Sequence, residues 1–62
     1  MENTKELSIK VAVNNYPDYA DSHKFIVATQ DDSEYWFWGA YDDEVKAANV
    51  AYDIGGVVLP NA

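Results

Sequence analysis

Two groups of carboxylates flank the most aromatic stretch of this sequence. The first group is Asp31, Asp32 and Glu34, and the second is Asp42, Asp43 and Glu44. Spaced carboxylates could imitate the phosphates of DNA or cover the basic groove of a nucleic-acid-processing enzyme, because both roles depend on a pattern of negative charge. The alternative is structural: the first group would form a hydrated turn and the second would cap a helix. The sequence leaves both interpretations open.

Between these groups lies a predicted strand whose aromatic side chains point to both sides. Tyr35 and Phe37 fall on one face, Trp36 and Trp38 fall on the other, and Tyr41 ends the strand. Trp and Tyr bury a large area at low entropic cost, which makes them frequent in binding hot spots. All five residues are therefore predicted to form a partner or dimer interface. The alternative places one of the two faces in the core.

Residues suited to catalysis or metal binding are sparse. The chain has no cysteine, and its single histidine, His23, has no second ligand at zinc spacing, so we expect it at a strand end on the surface. No serine occurs in a nucleophile-elbow pattern, and Gly55-Gly56 follows a helix, where it caps the helix and does not cradle phosphate. Neither carboxylate group has the spacing of a calcium loop. We expect no enzyme activity, no metal and no cofactor.

Stacking on a flat small molecule is a further hypothesis. Tyr16, Tyr19 and the tryptophans could sequester a nucleotide in a pocket that a second subunit completes. Lys10 and Lys24 would be the cations for its phosphates. This hypothesis stands below protein binding, because nucleotide phosphates normally require more positive charge than two lysines provide.

The composition narrows the range of partners. The chain has 62 residues, no cysteine and a net charge of −7 at pH 7. The few dispersed lysines argue against direct binding of nucleic acid or of an anionic membrane, and favour a protein partner with a basic surface. A domain this small buries only about 60% of its unfolded surface, so association is the expected source of extra stability, and we expect a homodimer. The N-terminus lacks a signal-peptide pattern, and we expect a cytoplasmic protein.

Periodicity and turn residues predict one α+β domain over residues 1–62, with residues 1–6 frayed. The order is β-β-β-α-β, an antiparallel sheet with one helix packed on one face. The first predicted elements are a strand at 7–13, a loop at 14–22 that packs against the domain, and a strand at 24–30 with Phe25, Val27 and Thr29 on one face. A turn at 31–33 and a strand at 34–41 follow. The last elements are a helix at 43–54 and a strand at 57–59, which Pro60 ends. If the last strand lies beside the first, the two are parallel.

The predicted helix has a broad apolar side. Ala47, Val50, Ala51 and Ile54 form a stripe at helical spacing. Ala48 and Tyr52 are expected to widen this stripe, which leaves a polar strip of Lys46, Asn49 and Asp53. Because one helix covers one face of a sheet, we expect either Trp36 and Trp38 or Tyr35 and Phe37 to lie away from it and to be exposed.

The last part of the chain resembles small strand–helix–Gly-Gly–strand proteins encoded by phages and prophages. The resemblance covers about the last 25 residues and is carried by Trp36-Phe37-Trp38-Gly39-Ala40-Tyr41, Lys46-Ala47-Ala48-Asn49-Val50-Ala51 and Ile54-Gly55-Gly56-Val57-Val58. It implies a non-enzymatic viral accessory protein in the host cytoplasm. Acidic proteins of this kind often inhibit host defence systems, so the resemblance implies an inhibitor or adaptor of a host protein. A structural accessory subunit is the remaining alternative.

Overall fold

The computed structural model describes residues 3–61, and these form a five-stranded sheet with one α-helix. The predicted α+β class is confirmed. The elements are β1 (Lys5–Glu6), β2 (Ala12–Asn14), a 3₁₀ helix (Asp18–Ser22), β3 (Phe25–Asp31), β4 (Glu34–Tyr41), α1 (Glu44–Ile54) and β5 (Val57–Pro60). In the described part of the chain, no helix is long and apolar enough to cross a membrane.

The sheet has the order β1-β2-β4-β3-β5 and is mixed, not wholly antiparallel as expected. β2 runs parallel to β4, while the other neighbouring strands are antiparallel. β5 pairs with β3 and does not lie beside the N-terminal strands. Because β4 and β5 are both antiparallel to β3, they are parallel to each other, and α1 must cross over β3 to connect them. This connection places the helix above β3.

The β3–β4 hairpin closely follows its prediction. Its turn residues, Asp32 and Ser33, both have positive φ (51° and 69°), as a type I′ turn requires. Along the ladder, Val27 pairs with Gly39 and Ala28 pairs with Phe37, so Trp38 is the extra residue of a β-bulge. The bulge lies at the centre of the predicted strand 34–41, whose bounds are confirmed.

The predicted strand at 7–13 is wrong. Residues 7–11 form a tight turn between β1 and β2, and only Ala12 and Val13 lie in a strand. In this turn, the Leu7 amide donates to the Val11 carbonyl at 2.8 Å, and Lys10 adopts φ 65°. The strict alternation of apolar residues gave the wrong result because Leu7 and Val13 reach one core from a chain that reverses direction, while Ile9 at the turn is exposed. The prediction that residues 1–6 are frayed falls in part on residues 1 and 2, which lie outside the described residues. Lys5–Glu6 pair with β2.

Two apolar clusters lie on opposite sides of the sheet. On the side away from α1, Leu7, Val13, Tyr16 and Ala20 from the N-terminal third cover Ile26, Ala28 and Leu59, and Tyr35 and Phe37 pack against them. The expected loop 14–22 thus packs down through Tyr16 and Ala20. This layer corrects the expectation that the face opposite the helix is open, because the N-terminal segment folds across it.

The second cluster joins α1 to the sheet. Ala47 and Ala51 pack on Val27, with Phe25, Tyr41, Val50, Ile54 and Val58 around them. The predicted stripe is therefore confirmed, but Ala48 and Tyr52 are exposed and do not widen it. Asp43 caps the helix N-terminus by accepting from the Val45 amide at 2.9 Å and the Lys46 amide at 3.4 Å. Gly55, in the left-handed conformation, ends the helix.

Candidate functional site

Trp36 lies on the α1 side of the sheet, and Trp38 follows it on β4 as the extra residue of the bulge. Trp36 pairs in register with Thr29 on β3 and with Asn14 on β2. Cross-strand partners share a face, so these three side chains lie on the same side. Neither tryptophan belongs to the two apolar clusters. Trp38 is 50% exposed and Trp36 is half-buried, which leaves both indoles accessible.

The strand registers define a surface around these indoles, which we call the open sheet face. Alternation along β1, β2, β3 and β4 places carboxylates on it at two positions: Glu6 on β1, and the cross-strand pair Asp31 and Glu34 at the hairpin end. The face consists of Glu6, Ala12, Asn14, Thr29, Asp31, Glu34 and Trp36, and the exposed Trp38 follows at the bulge. None of these residues is basic, so the tryptophans lie in a negatively charged surrounding.

Polar contacts hold the acidic part of this face in place. The Asn14 side-chain amide donates to Glu34 Oε1 at 3.2 Å, and its oxygen accepts from the Thr4 hydroxyl at 2.9 Å. Next to this pair, a shallow cleft of about 270 Å³ opens between the β3–β4 turn and the start of β2. It is lined by Lys10, Val11, Ala12, Asn14, Ser33, Glu34 and Tyr35. The cleft extends the open sheet face towards an apolar wall.

The other three aromatic residues predicted for the interface, Tyr35, Phe37 and Tyr41, pack against the apolar clusters. Tyr35 and Phe37 face the N-terminal layer, where Phe37 makes edge-to-face contacts with Tyr16 at 5.9 Å and Tyr19 at 6.2 Å between ring centroids. Tyr41 packs beside α1 and covers Gly39, and its ring lies 6.0 Å from Lys46 Nζ. Of the five predicted residues, the structure leaves only the tryptophans outside the two apolar clusters.

The second carboxylate group has local partners. Asp43 is the helix cap, and Glu44 is exposed in the first turn of α1, where negative charge is favourable. Asp42 accepts from the Lys24 amide at 3.1 Å, and its other oxygen lies 3.4 Å from His23 Nδ1. Asp42 therefore joins the end of β4 to the start of β3. In the first group, Asp32 occupies the turn, whereas Asp31 and Glu34 reach the open sheet face.

A polar network on the opposite side of the sheet involves Tyr16, which is buried. Its hydroxyl donates to Asp21 at 2.9 Å and accepts from the Asn61 side-chain amide at 3.1 Å, while Lys5 pairs with the same Asp21 carboxylate. The hydrogen bonds from Lys5 and then from Tyr16 lower the pKa of Asp21, and the Asp21 contact raises the pKa of Lys5. Burial, followed by the hydrogen bond to Asp21, raises the pKa of Tyr16. The network ties the N-terminus to the C-terminus.

The residues proposed for nucleotide stacking do not meet. Tyr16 is committed to the polar network, and Tyr19, although exposed, contacts Phe37 on the face opposite Trp36. His23 lies between the 3₁₀ helix and β3, as a half-buried residue at a strand end. Among residues 3–61, no group of three or more metal-ligating side chains is close enough to hold an ion.

Sequence reasoning missed Glu6, Asn14 and Thr29 as parts of the open sheet face. Each is an isolated polar residue, and its position beside Trp36 follows only from the pairing of β1, β2 and β3. The asparagine at the C-terminal end, Asn61, was also missed. Its side-chain amide reaches the carbonyls of Ala20 at 2.8 Å and His23 at 2.9 Å, a contact that no local pattern indicates.

Comparisons with protein-family models, with curated proteins and with solved structures found no match.

Proposed function

We propose that this chain is a small, non-enzymatic protein-binding module that engages a basic segment of a partner protein through the open sheet face. One observation carries the proposal. Trp36 and Trp38 lie outside both apolar clusters, beside a sheet face that carries Glu6, Asp31 and Glu34 and whose adjoining cleft is lined in part by Lys10. Exposed apolar surface rimmed by charge is typical of protein interaction sites.

The chemistry of this face favours a cationic partner. A guanidinium or ammonium group placed on the face of an indole ring contributes about 0.5–2 kcal/mol of binding free energy, and Trp is the best of the aromatic partners for a cation. Trp38 is half exposed, so its remaining accessible area is roughly 100 Å², and covering that area adds about 2–3 kcal/mol. The overall charge of −7 steers a basic partner towards the surface and raises the association rate.

The finer biological role follows from the partner. In a phage or prophage accessory protein, the basic segment would belong to a host protein. Nucleic-acid-processing and defence proteins are the host proteins that fit this role. Binding would inhibit the host protein or adapt it to another function. The acidic face supports this hypothesis because such host proteins carry basic surfaces for nucleic acid. A structural accessory subunit would use the same surface without inhibition.

Self-association is the second candidate, and α1 offers its surface. Val45, Ala48 and Tyr52 form an exposed strip on the outer side of the helix, with Val45 69% and Tyr52 87% exposed. Lys46 and Asp53 lie seven residues apart on one flank, so an antiparallel helix pair would bring each lysine near the aspartate of the other copy. Light scattering at micromolar concentration tests this dimer. Tyr52→Glu should abolish it and Trp38→Ser should leave it intact, and a wild-type monomer would refute it.

The experiment for the main proposal is selection from a library of displayed random dodecapeptides on the immobilised protein. Basic peptides should be enriched, and their binding should be lost with Trp38→Ser and weakened by Asp31→Asn combined with Glu34→Gln. Tyr52→Ser and Glu44→Gln are matched controls, since they remove an exposed aromatic and a carboxylate elsewhere. Enrichment of acidic peptides, or equal loss with the control variants, would overturn the proposal.

A further inference from the structure

The outer edge of β4 lacks a neighbouring strand over most of its length. β2 pairs with β4 only at Tyr35 and Trp36, and the chain then turns away at Asn15, whose φ of 61° breaks the extended conformation. β4 continues to Tyr41 with β3 as its one partner. The segment Phe37–Tyr41 therefore has an unpaired outer edge, as β1 and β5 have at the two ends of the sheet, and we call it the free β4 edge.

Beyond the β2 pairing, the outward backbone groups of this edge have no partner among the hydrogen bonds found within residues 3–61. In a strand, alternate residues turn their N–H and C=O groups to opposite sides, so some groups of the free β4 edge point away from β3. Outside the strand ladders, no backbone or side-chain hydrogen bond within the described chain reaches the backbone of 37–41. A strand added there would satisfy these groups, as in β-augmentation.

We infer that the free β4 edge binds an extended, basic segment of the partner protein as an additional strand; this inference rests on the proposed function. On one face, the added strand would lie beside Tyr19 and Phe37, and at the bulge it would reach the exposed Trp38. The matching segment therefore alternates basic and apolar residues. Asp42 and Asp43 follow the edge directly and add negative charge at its end.

Charge and twist favour this occupant over a second copy of the chain. In a pair of β4 edges from two copies, two chains of charge −7 would meet. The bulge at Trp38 also twists the edge, which discourages pairing between two folded sheets. A flexible basic segment follows the twist and neutralises the charge.

The test uses the full chain and a capped decapeptide of alternating Arg and Val. Binding is measured by tryptophan fluorescence, and amide hydrogen exchange is followed by NMR. We expect saturable binding with slowed exchange of outward amides in 37–41. The matching Glu–Val decapeptide should not bind. Two further Arg–Val peptides carry backbone N-methyl groups, either on every Arg or on every Val, and at least one should lose affinity by about tenfold or more, because it cannot pair with the edge.

The outcomes separate this inference from the proposed function. If all Arg–Val peptides bind equally through Trp38 and exchange at 37–41 is unchanged, the strand addition is refuted while the basic-partner proposal stands. If no basic peptide binds, or if binding persists in Trp38→Ser, both are refuted. If 37–41 is already protected in a peptide-free dimer, a second copy occupies the edge and the inference fails.

Discussion

Gly55 and Gly56 are adjacent at the end of α1, yet an alanine would meet a different obstacle at each position. Gly55 has φ +70°, and a Cβ there would lie in open space. A Cβ on Gly56 would lie 2.5 Å from the Ala28 carbonyl oxygen and 3.2 Å from Ile54 Cδ1. Gly55→Ala therefore strains the backbone alone, whereas Gly56→Ala pushes the start of β5 away from β3.

The geometry sets the size of each effect. A left-handed backbone costs a residue with a Cβ about 1–2 kcal/mol, and alanine regains about 0.4–1 kcal/mol through the unfolded chain, so Gly55→Ala should lose about 0.5–1 kcal/mol. At Gly56 the Cβ must move by about 0.9 Å to reach ordinary contact at 3.4 Å, against Ala28, which is fully buried on β3. Overpacking of this kind costs about 1–3 kcal/mol, and we expect a net loss of about 2 kcal/mol.

Thermal unfolding measured by circular dichroism checks these values. An unfolding entropy of about 2.1 cal/mol/K per residue amounts to about 0.13 kcal/mol/K for this chain. Tm should then fall by about 15 °C in Gly56→Ala and by about 4–8 °C in Gly55→Ala. Gly55→Asn should lose less than Gly55→Ala, because Asn tolerates the left-handed region.

Ile54→Val is the control for the source of the clash. It should not rescue Gly56→Ala, because the nearest atom is a backbone oxygen of β3 and not the Ile54 side chain. Equal Tm values for Gly56→Ala and wild type would refute the reasoning, as would full rescue by Ile54→Val.

Three further substitutions test local features of the structure. Asp43→Ala removes the helix cap and should lower the free energy of unfolding in urea by about 1 kcal/mol, while Asp43→Asn should retain most of the cap's stabilisation. Equal losses in the two variants would show that the charge of Asp43 stabilises the helix and its cap hydrogen bonds do not. Ser33→Gly relieves a positive φ in the hairpin turn and should raise stability by about 0.5–1 kcal/mol, so a lower Tm would contradict the type I′ assignment. The pKa of Asp21 is lowered in the folded chain, so its contribution to stability is present above the unfolded pKa and is lost as pH falls through the folded pKa. Asp21→Asn should therefore make the acid side of the stability–pH curve shallower, and an unchanged slope would show that Lys5 and Tyr16 do not hold this carboxylate in solution.

The sequence predicted the parts of the fold whose signals are local. The hairpin turn, the bounds of β4, the end of α1 at Gly55 and the buried stripe of Ala47 and Ala51 all follow from turn residues, capping residues and periodicity within a few positions. The same reasoning was wrong for residues 7–13, because an alternating pattern does not reveal a chain reversal at Lys10.

The site was predicted in part. Strand alternation predicted Trp36 and Trp38 as a pair on one face, but it could not show the bulge at Trp38 that interrupts the alternation. The acidic groups around β4 were recognised from composition. The sequence did not show that Asp42 and Asp43 have structural partners, whereas Asp31 and Glu34 share a face with Trp36. These assignments depend on cross-strand register, which joins residues that are far apart in the chain.

The sequence by itself determined that this chain makes a hairpin with aromatic residues on both faces of β4, followed by a capped helix, because each of these features is set by neighbouring residues. The tertiary structure alone decided which aromatic face stays accessible. Leu7, Val13 and Tyr16 fold across Tyr35 and Phe37, while the crossover to β5 places α1 over β3 and leaves Trp36 and Trp38 outside both apolar clusters. Both outcomes are non-local: they depend on which segments cover which side of the sheet, and strand periodicity carries no information about that choice.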